Sequence, residues 1–249
     1  MTNFEFPKNF LWGTATAAHQ VEGNNVNSDV WLIEHIPGTP YKEPSGDACD
    51  HYHRYRSDIA MLAELGFNAY RFSIEWARIE PEEGEFSFAE LEHYRDMLLA
   101  CHEHNLTPIV TFHHFSSPRW LLKRGGWESD ETPDRFARYC ERATKHLGDL
   151  IGVGCTLNEA NLAPMLVKIG VMPPLEKFQQ ADWWFATAKA ADIPPEKLSS
   201  FQYATSTKSF EVIMQTHRRS GHRRNDHRGL SADQPPQCCR ARFADVWVR

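Results

Sequence analysis

Short apolar segments alternate with amphipathic segments along most of this chain. Three apolar segments, residues 68–74, 106–112 and 151–157, have the length and the β-branched or aromatic content of buried strands. An earlier one, residues 10–18, is short, apolar and closed by the polar pair His19-Gln20. The pattern therefore predicts four buried strands in the first 157 residues.

The segments that follow these strands carry apolar residues at helical spacing. They predict helices over residues 50–65, 88–105, 133–150 and 199–217. Gly66 directly follows the first of these segments, where glycine commonly ends a helix. Pro133 suits the first turn of the third, because a first-turn residue needs no N–H partner.

Repeated βα units predict a parallel sheet with right-handed crossovers. Short apolar strands followed by polar or aromatic residues suit a (β/α)8 barrel, in which function collects at the carboxyl ends of the strands. A doubly wound sheet is the alternative, and it favours a glycine-rich phosphate loop after the first strand, which is missing here. We predict an α/β fold of the (β/α)8 TIM-barrel type, truncated to roughly its first four βα units.

The composition changes abruptly after His217. Residues 218–249 are rich in arginine, contain neither lysine nor glutamate, and show no sustained periodicity. We therefore divide the chain into a barrel unit, residues 1–217, and a tail, residues 218–249. Three interpretations of the tail stay open: a disordered basic tail, a metal-binding or nucleic-acid-binding module, and a frameshift product. We favour the frameshift, because shifted reading of GC-rich DNA yields arginine, proline, histidine, glycine and cysteine in quantity.

Charge and cysteine usage exclude few functions. The net charge of −6 argues weakly against nucleic acid or an anionic membrane as a partner. No signal peptide or membrane-length apolar run is visible, so we expect a soluble, cytoplasmic protein. The scattered Cys49, Cys101, Cys140 and Cys155 indicate reduced core thiols. The histidines and cysteines of the tail fit no zinc spacing, so no metal site is predicted: His217, His222, His227, Cys238 and Cys239.

Four long motifs occur in a fixed order along the chain. They are FPKNFLWGTATAAHQVEG (residues 6–23), DHYHRYRSDIAMLAELGFNAYRFSIEWARIEPEEGEF (50–86), VTFHHFSSPRWL (110–121) followed by GGW (125–127), and CTLNEANL (155–162). With these motifs the chain resembles the N-terminal half of glycoside hydrolase family 1, the β-glucosidase family, over about residues 4–217. The resemblance implies a (β/α)8 barrel that hydrolyses β-linked glycosides with retention, without a metal or organic cofactor. It implies a β-glycoside or small saccharide as the ligand.

Retaining hydrolysis needs two carboxyl groups roughly 5–5.5 Å apart, one acting as acid/base and one as nucleophile. The resemblance makes Glu159, at the end of a buried strand, the general acid/base; a solvated Asn-Glu loop is the alternative. It makes Asn158, Gln20 and His114 sugar-binding residues, and amides and imidazoles suit hydroxyl groups because they both donate and accept. A turn glutamine and a core histidine are the alternatives for Gln20 and His114.

Two further positions follow from the resemblance. Successive residues of a strand face opposite sides, so only one of His113 and His114 faces the barrel interior, and the family match selects His114. In the family, Arg71 lies beside the nucleophile, where a cation keeps a carboxylate ionised. An ordinary barrel ion pair is the alternative for Arg71.

The chain departs from the family pattern at two places. The nucleophile, a glutamate in a Thr-Glu-Asn-Gly stretch, is absent, and no glutamate follows Glu211. Glu75 is a poor substitute, because a misplacement of about 1 Å can cost a hundredfold in rate; an ion pair with Arg71 is the simpler interpretation. Where many members carry Trp-Asp after the sugar-binding histidine, this chain has Phe115-Ser116.

A half-barrel exposes two sheet edges and the apolar face that normally fills the barrel. We therefore predict an impaired or inactive β-glucosidase-type hydrolase that self-associates through these edges. The alternatives are a non-catalytic carbohydrate-binding remnant and a nonfunctional fragment.

Overall fold

A computed structural model describes residues 5–198 and 206–226, apart from the side chains of residue 164 and residues 220–226. Its sheet has four parallel strands: β1 (Gly13–Ala15), β2 (Ala69–Ser73), β3 (Thr107–His113) and β4 (Val153–Leu157). The strands are ordered in space as they are in the chain. A doubly wound sheet reverses its strand order at a switch point, so the observed order favours the barrel.

Each strand is followed by a long helix on the outside of the sheet. The helices are α3 (His51–Glu64), α5 (Phe88–Glu103), α7 (Thr132–Leu147) and α11 (Thr207–Asp226). The first three lie within three residues of the predicted bounds at both ends. The last one begins later than predicted and continues to Asp226, so the proposed boundary at residue 217 falls inside a helix. Residues 199–205 and the rest of the tail lie outside the described part of the chain.

The helix ends follow from local chemistry. Gly66 has a φ of +88°, the left-handed conformation that a glycine after a helix adopts without strain. Ser87 begins α5, and its Oγ accepts a hydrogen bond from the Glu90 N–H at 3.3 Å. Pro133 lies in the first turn of α7, as the sequence predicts.

Shorter helices, which the sequence analysis did not assign, occupy the connections. They are α1 (Ala18–Val21), α2 (Asp29–Glu34), α4 (Trp76–Ile79), α6 (Arg119–Lys123), α8 (Leu162–Lys168), α9 (Leu175–Phe178) and α10 (Asp182–Ala191), with 3-10 turns at Gly126–Glu128 and Pro195–Lys197. All are shorter than the four long helices, and α8, α9, α10 and the Pro195–Lys197 turn lie in the long β4–α11 connection. They build the carboxyl-end surface of the sheet.

The main core lies between the outer face of the sheet and the long helices. Phe72 and Phe112 of the strands belong to the same buried cluster as Phe136 and Tyr139 of α7. Trp76 stacks on Tyr139 with ring centroids 5.3 Å apart. The predicted core thiols are buried at Cys101 and Cys140 and half-buried at Cys155. The prediction was wrong for Cys49, which is exposed because it lies in the loop before α3.

The sheet has two open edges within the described residues, since β1 pairs only with β2 and β4 only with β3. A set of solvent-exposed apolar residues, which we call the β1 edge patch, lies beside β1. Its members are Phe6, Phe10, Leu11 and Trp12, each at least 38% exposed. No helix of the described chain is both long and apolar enough to cross a membrane.

Candidate active site

Arg71 joins the carboxyl ends of three neighbouring strands. From β2 its Nε donates to Thr111 Oγ1 of β3 at 2.9 Å, and its Nη2 donates to Asn158 Oδ1 at 2.6 Å. Asn158 directly follows β4, and its backbone N–H donates to the His113 carbonyl at 2.9 Å. The arginine therefore fixes Asn158 from across the inner face of the sheet, by a charge-assisted hydrogen bond.

Arg71 forms no ion pair among the described residues. The alternative interpretation, an ordinary barrel ion pair with Glu75, was therefore wrong. Two of its three donor nitrogens, Nε and Nη2, are engaged by a hydroxyl and an amide instead. No described carboxylate pairs with the Arg71 guanidinium, so its positive charge in the site is not neutralised by one.

Glu159 follows Asn158 at the mouth of the sheet. It is exposed, and its carboxyl group makes no hydrogen bond or ion pair within the described part of the chain. Its backbone has a φ of +47°, in the left-handed region that few non-glycine residues occupy. The side chain is thus displayed to solvent from a strained turn between β4 and α8.

The two histidines at the end of β3 have different surroundings. His113 is buried; its Nε2 lies 3.0 Å from Ser117 Oγ, and its ring packs edge-on against Trp127. Burial, together with His114, lowers the pKa of His113 to about 3. His113 therefore belongs to the packing around Trp127.

His114 is half-buried, and its Nδ1 is buried without a hydrogen-bond partner among the described residues. Burial first, and then the Arg71 cation, lowers the pKa of His114 to about 4. The ring is therefore neutral near pH 7, close to Arg71, with a nitrogen left for a ligand. Buried polar atoms without partners are uncommon, so this nitrogen is a candidate for a contact that the described residues do not supply.

Gln20 lies in α1, which follows β1. It is exposed, and its amide makes no hydrogen bond to any described residue. Of the predicted sugar-binding residues, Asn158 is thus held by a hydrogen bond from Arg71. His114 is half-buried, and Gln20 is exposed without a described hydrogen-bond partner. All three follow strands at the same edge of the sheet, where barrel enzymes place their active sites.

Glu75 is held away from Arg71. It is 3% exposed and lies just before α4; its Oε2 accepts the Ser116 hydroxyl at 2.6 Å, and its Oε1 accepts the Ala77 N–H at 3.2 Å. Burial raises the pKa of Glu75 above its usual value. The sequence analysis had considered this residue only as a substitute nucleophile or as a partner of Arg71.

Two further buried carboxyl groups were missed from the sequence. Glu22 pairs with Arg78 at 2.9 Å and accepts the Tyr94 hydroxyl, whereas Asp29 Oδ1 accepts the N–H groups of Ser117 and Val30. Burial raises the pKa of each to about 7. No local signal marked either one: Asp29 follows the polar pair Asn27-Ser28, as a surface acid at the start of a helix also does. The described side chains contain no group of three histidine, cysteine, aspartate or glutamate residues placed to hold a metal.

Comparison with known proteins identifies the family. The family model described as Glycosyl hydrolase family 1 matches residues 2–191. The chain is 39% identical over 173 residues to β-glucosidase A of Acetivibrio thermocellus, covering 67% of this chain and 39% of that protein. It is 40% identical over 164 residues to aryl-phospho-β-D-glucosidase BglC of Bacillus subtilis, covering 63% of this chain and 34% of that protein.

Solved structures agree in fold. The β-glycosidase BGL167 superimposes with a TM-score of 0.85 at 56% identity, over 90% of this chain and 54% of that one. The Thermotoga maritima β-glucosidase in complex with cyclophellitol gives a TM-score of 0.70 at 31% identity, over 89% and 47%. The chain therefore has the fold of roughly half a (β/α)8 barrel, and it spans between about a third and a half of the length of these relatives. On these matches, the chain belongs to glycosyl hydrolase family 1.

Proposed function

We propose that this chain carries the acid/base half of the active site of a retaining β-glycosidase of the β-glucosidase type. The observation that carries the proposal is the hydrogen bond from Arg71 to Asn158, which fixes the residue before Glu159 at the carboxyl ends of three strands. In this proposal Glu159 protonates the leaving oxygen of a β-glycoside. It then takes a proton from the water that releases the sugar.

The bonding of Asn158 supports a defined role in sugar binding. Arg71 occupies its Oδ1, so its Nδ2 is left as a donor for a sugar hydroxyl oxygen. A neutral His114 donates through one ring nitrogen and accepts through the other. Together with the Gln20 amide, these groups supply donors and acceptors for neighbouring hydroxyl groups of one sugar ring.

The second carboxyl group limits what this chain does alone. Retention needs a nucleophile roughly 5–5.5 Å from the acid/base, and the sequence has no glutamate after Glu211. Glu75 is buried and already bonded through both oxygens. We therefore propose that the chain by itself binds β-glycosides with little or no turnover, as a carbohydrate-binding remnant of the enzyme. A cytoplasmic location stays a prediction.

The test is nitrophenol release from an aryl β-glucoside by the purified, folded chain, with Glu159→Gln as the control. We expect no release above the control, because one carboxyl group cannot form and hydrolyse the covalent intermediate. If the wild-type chain releases nitrophenol and Glu159→Gln abolishes this release, a second carboxylate is present. The proposal that the chain alone has little or no turnover is then wrong.

Binding is measured separately by calorimetry with glucose and cellobiose. We expect wild-type binding that Asn158→Ala weakens about tenfold, since one hydrogen bond to a sugar is lost. Folded protein that binds neither sugar would leave the nonfunctional fragment as the correct interpretation.

A further inference from the structure

The loop that carries His114 has a strained backbone. Phe115, the next residue, has a φ of +75°. The left-handed region is unfavourable for a bulky side chain, and such a conformation persists only where the surroundings over-determine it. Something must therefore hold residues 114–118, which we call the β3 loop.

Two buried carboxyl groups, from two different elements, hold the β3 loop by hydrogen bonds. Glu75, before α4, accepts the Ser116 hydroxyl at 2.6 Å. Asp29, at the start of α2, accepts the Ser117 N–H at 2.8 Å, and its own N–H donates to the Ser117 carbonyl at 2.8 Å. Glu75 and Asp29 are 3% and 1% exposed, so both bonds are shielded from water.

Position 116 lies directly after the strained Phe115. It holds a serine, and a carboxyl group reaches it from 41 residues away in the chain. We infer that Glu75 is a positioning residue: its bond to Ser116 anchors the β3 loop and fixes His114 toward the sugar site. The inference rests on the proposed function for the role of His114.

The bonding predicts which substitutions preserve the contact. Glu75→Gln keeps one oxygen for the Ala77 N–H, and its amide donates to Ser116 Oγ, since a hydroxyl also accepts. Glu75→Ala and Ser116→Ala each break the contact. Glu34→Ala is a matched control, because Glu34 is also buried and accepts a serine hydroxyl, that of Ser45, at 2.6 Å.

The experiment records the imidazole nitrogen signals of His114 by NMR across pH, in the full chain, with the signals assigned from the spectrum of His114→Gln. We expect wild type, Glu75→Gln and Glu34→Ala to keep a His114 pKa near 4. In Glu75→Ala and Ser116→Ala the loop relaxes, so the pKa of His114 moves upward by at least one unit, toward its ordinary value of about 6.5. The Glu75→Ala/Ser116→Ala double variant should shift His114 no further than the larger single change.

Several outcomes would overturn the inference. One is an unchanged His114 signal in folded Ser116→Ala. This variant removes a single oxygen, so it tests the role of the Glu75–Ser116 bond even if Glu75→Ala does not fold. Another is an equal shift in Glu34→Ala, which would reveal a general loss of packing. The NMR readout needs no ligand, so a chain that binds no sugar would refute the proposed function and leave this test intact. If glucose binds, Glu75→Ala should weaken it at least fivefold and Glu75→Gln should not.

Discussion

Two residues beside the site, Phe115 and Glu159, have left-handed backbones that glycine would favour. For an ordinary residue this conformation costs about 1–2 kcal/mol. They follow the neighbouring strands β3 and β4, so two of the seven left-handed non-glycine residues of the described chain lie where His114 and Glu159 are presented. Such a conformation persists only where the surrounding structure holds it, so both turns depend on the contacts around them.

The buried carboxyl groups make stability depend on pH. Burial raises the pKa of Glu22 and Asp29 to about 7 in the folded chain, from 4.5 and 3.8. The folded state then binds more protons than the unfolded state between these values, so the free energy of unfolding falls as pH rises from about 4 through 7. We expect a decline on the order of 1 kcal/mol per pH unit for each group, measured by urea unfolding at several pH values.

Asp29→Asn separates the charge of Asp29 from its hydrogen bonds. Both N–H groups that contact Asp29 donate to the same oxygen, Oδ1, which an asparagine retains. The variant should therefore show a smaller loss of stability between pH 5 and 8 than wild type. Asp96→Asn, at a side chain that is half exposed, is the matched control and should leave the slope unchanged. A wild-type chain more stable at pH 8 than at pH 5 would contradict the prediction.

At the scale of elements, local patterns predicted the strands and most of the long helices. The apolar spacing of residues 50–65 indicated a helix, and His51–Glu64 is one. Such a pattern reflects only residues that are close together in the sequence. The long-range bonds that build the site join residues 40 to 88 positions apart, such as Arg71 with Thr111 and Asp29 with Ser117. Nothing local distinguishes a buried acid such as Asp29 from a surface one, so the family resemblance led to the predictions for Glu159 and Asn158 but not to the buried groups near them.

The last helix, α11, packs against the barrel through residues up to Arg219. Its Val212 and Ile213 are buried in the main core. His217 Nδ1 lies 2.7 Å from Thr156 Oγ1 of β4, and Arg219 pairs with Asp134 of α7 at 2.6 Å. The change in composition after His217 therefore does not coincide with the end of the packed helix.

Ile213→Ala tests this docking. Ile213 is 4% exposed, and removing a buried isoleucine side chain should lower the free energy of unfolding by about 2–4 kcal/mol. Ile169→Ala is the control, because Ile169 is 62% exposed and should cost less than about 0.5 kcal/mol. Tryptophan fluorescence during urea unfolding measures both. Equal small effects would mean that α11 does not contribute to the core.

At the scale of the whole molecule, the open edges dominate. A closed barrel pairs every strand, whereas β1 and β4 here each have one unpaired side among the described residues. Unpaired strand edges are templates for association with other chains. The β1 edge patch adds apolar surface next to the start of β1, with the Phe10 and Trp12 ring centroids 4.7 Å apart. Hydrogen bonding and apolar burial therefore both favour contact at β1.

We accordingly predict that the chain self-associates at micromolar concentration, with β1 in the contact. Leu11→Lys places a charge in the β1 edge patch, where Leu11 is 44% exposed, so it should reduce the mass-average molecular mass toward that of a monomer. Leu99→Lys makes the same change at a leucine of similar exposure, 39% exposed, on α5 between the central strands β2 and β3, and should not. Sedimentation equilibrium measures both variants beside the wild type. A wild-type chain that sediments as a single monomer and unfolds cooperatively would refute the prediction, because the edges would then be satisfied within one molecule. An equal effect of both lysines would instead place the contact elsewhere on the surface.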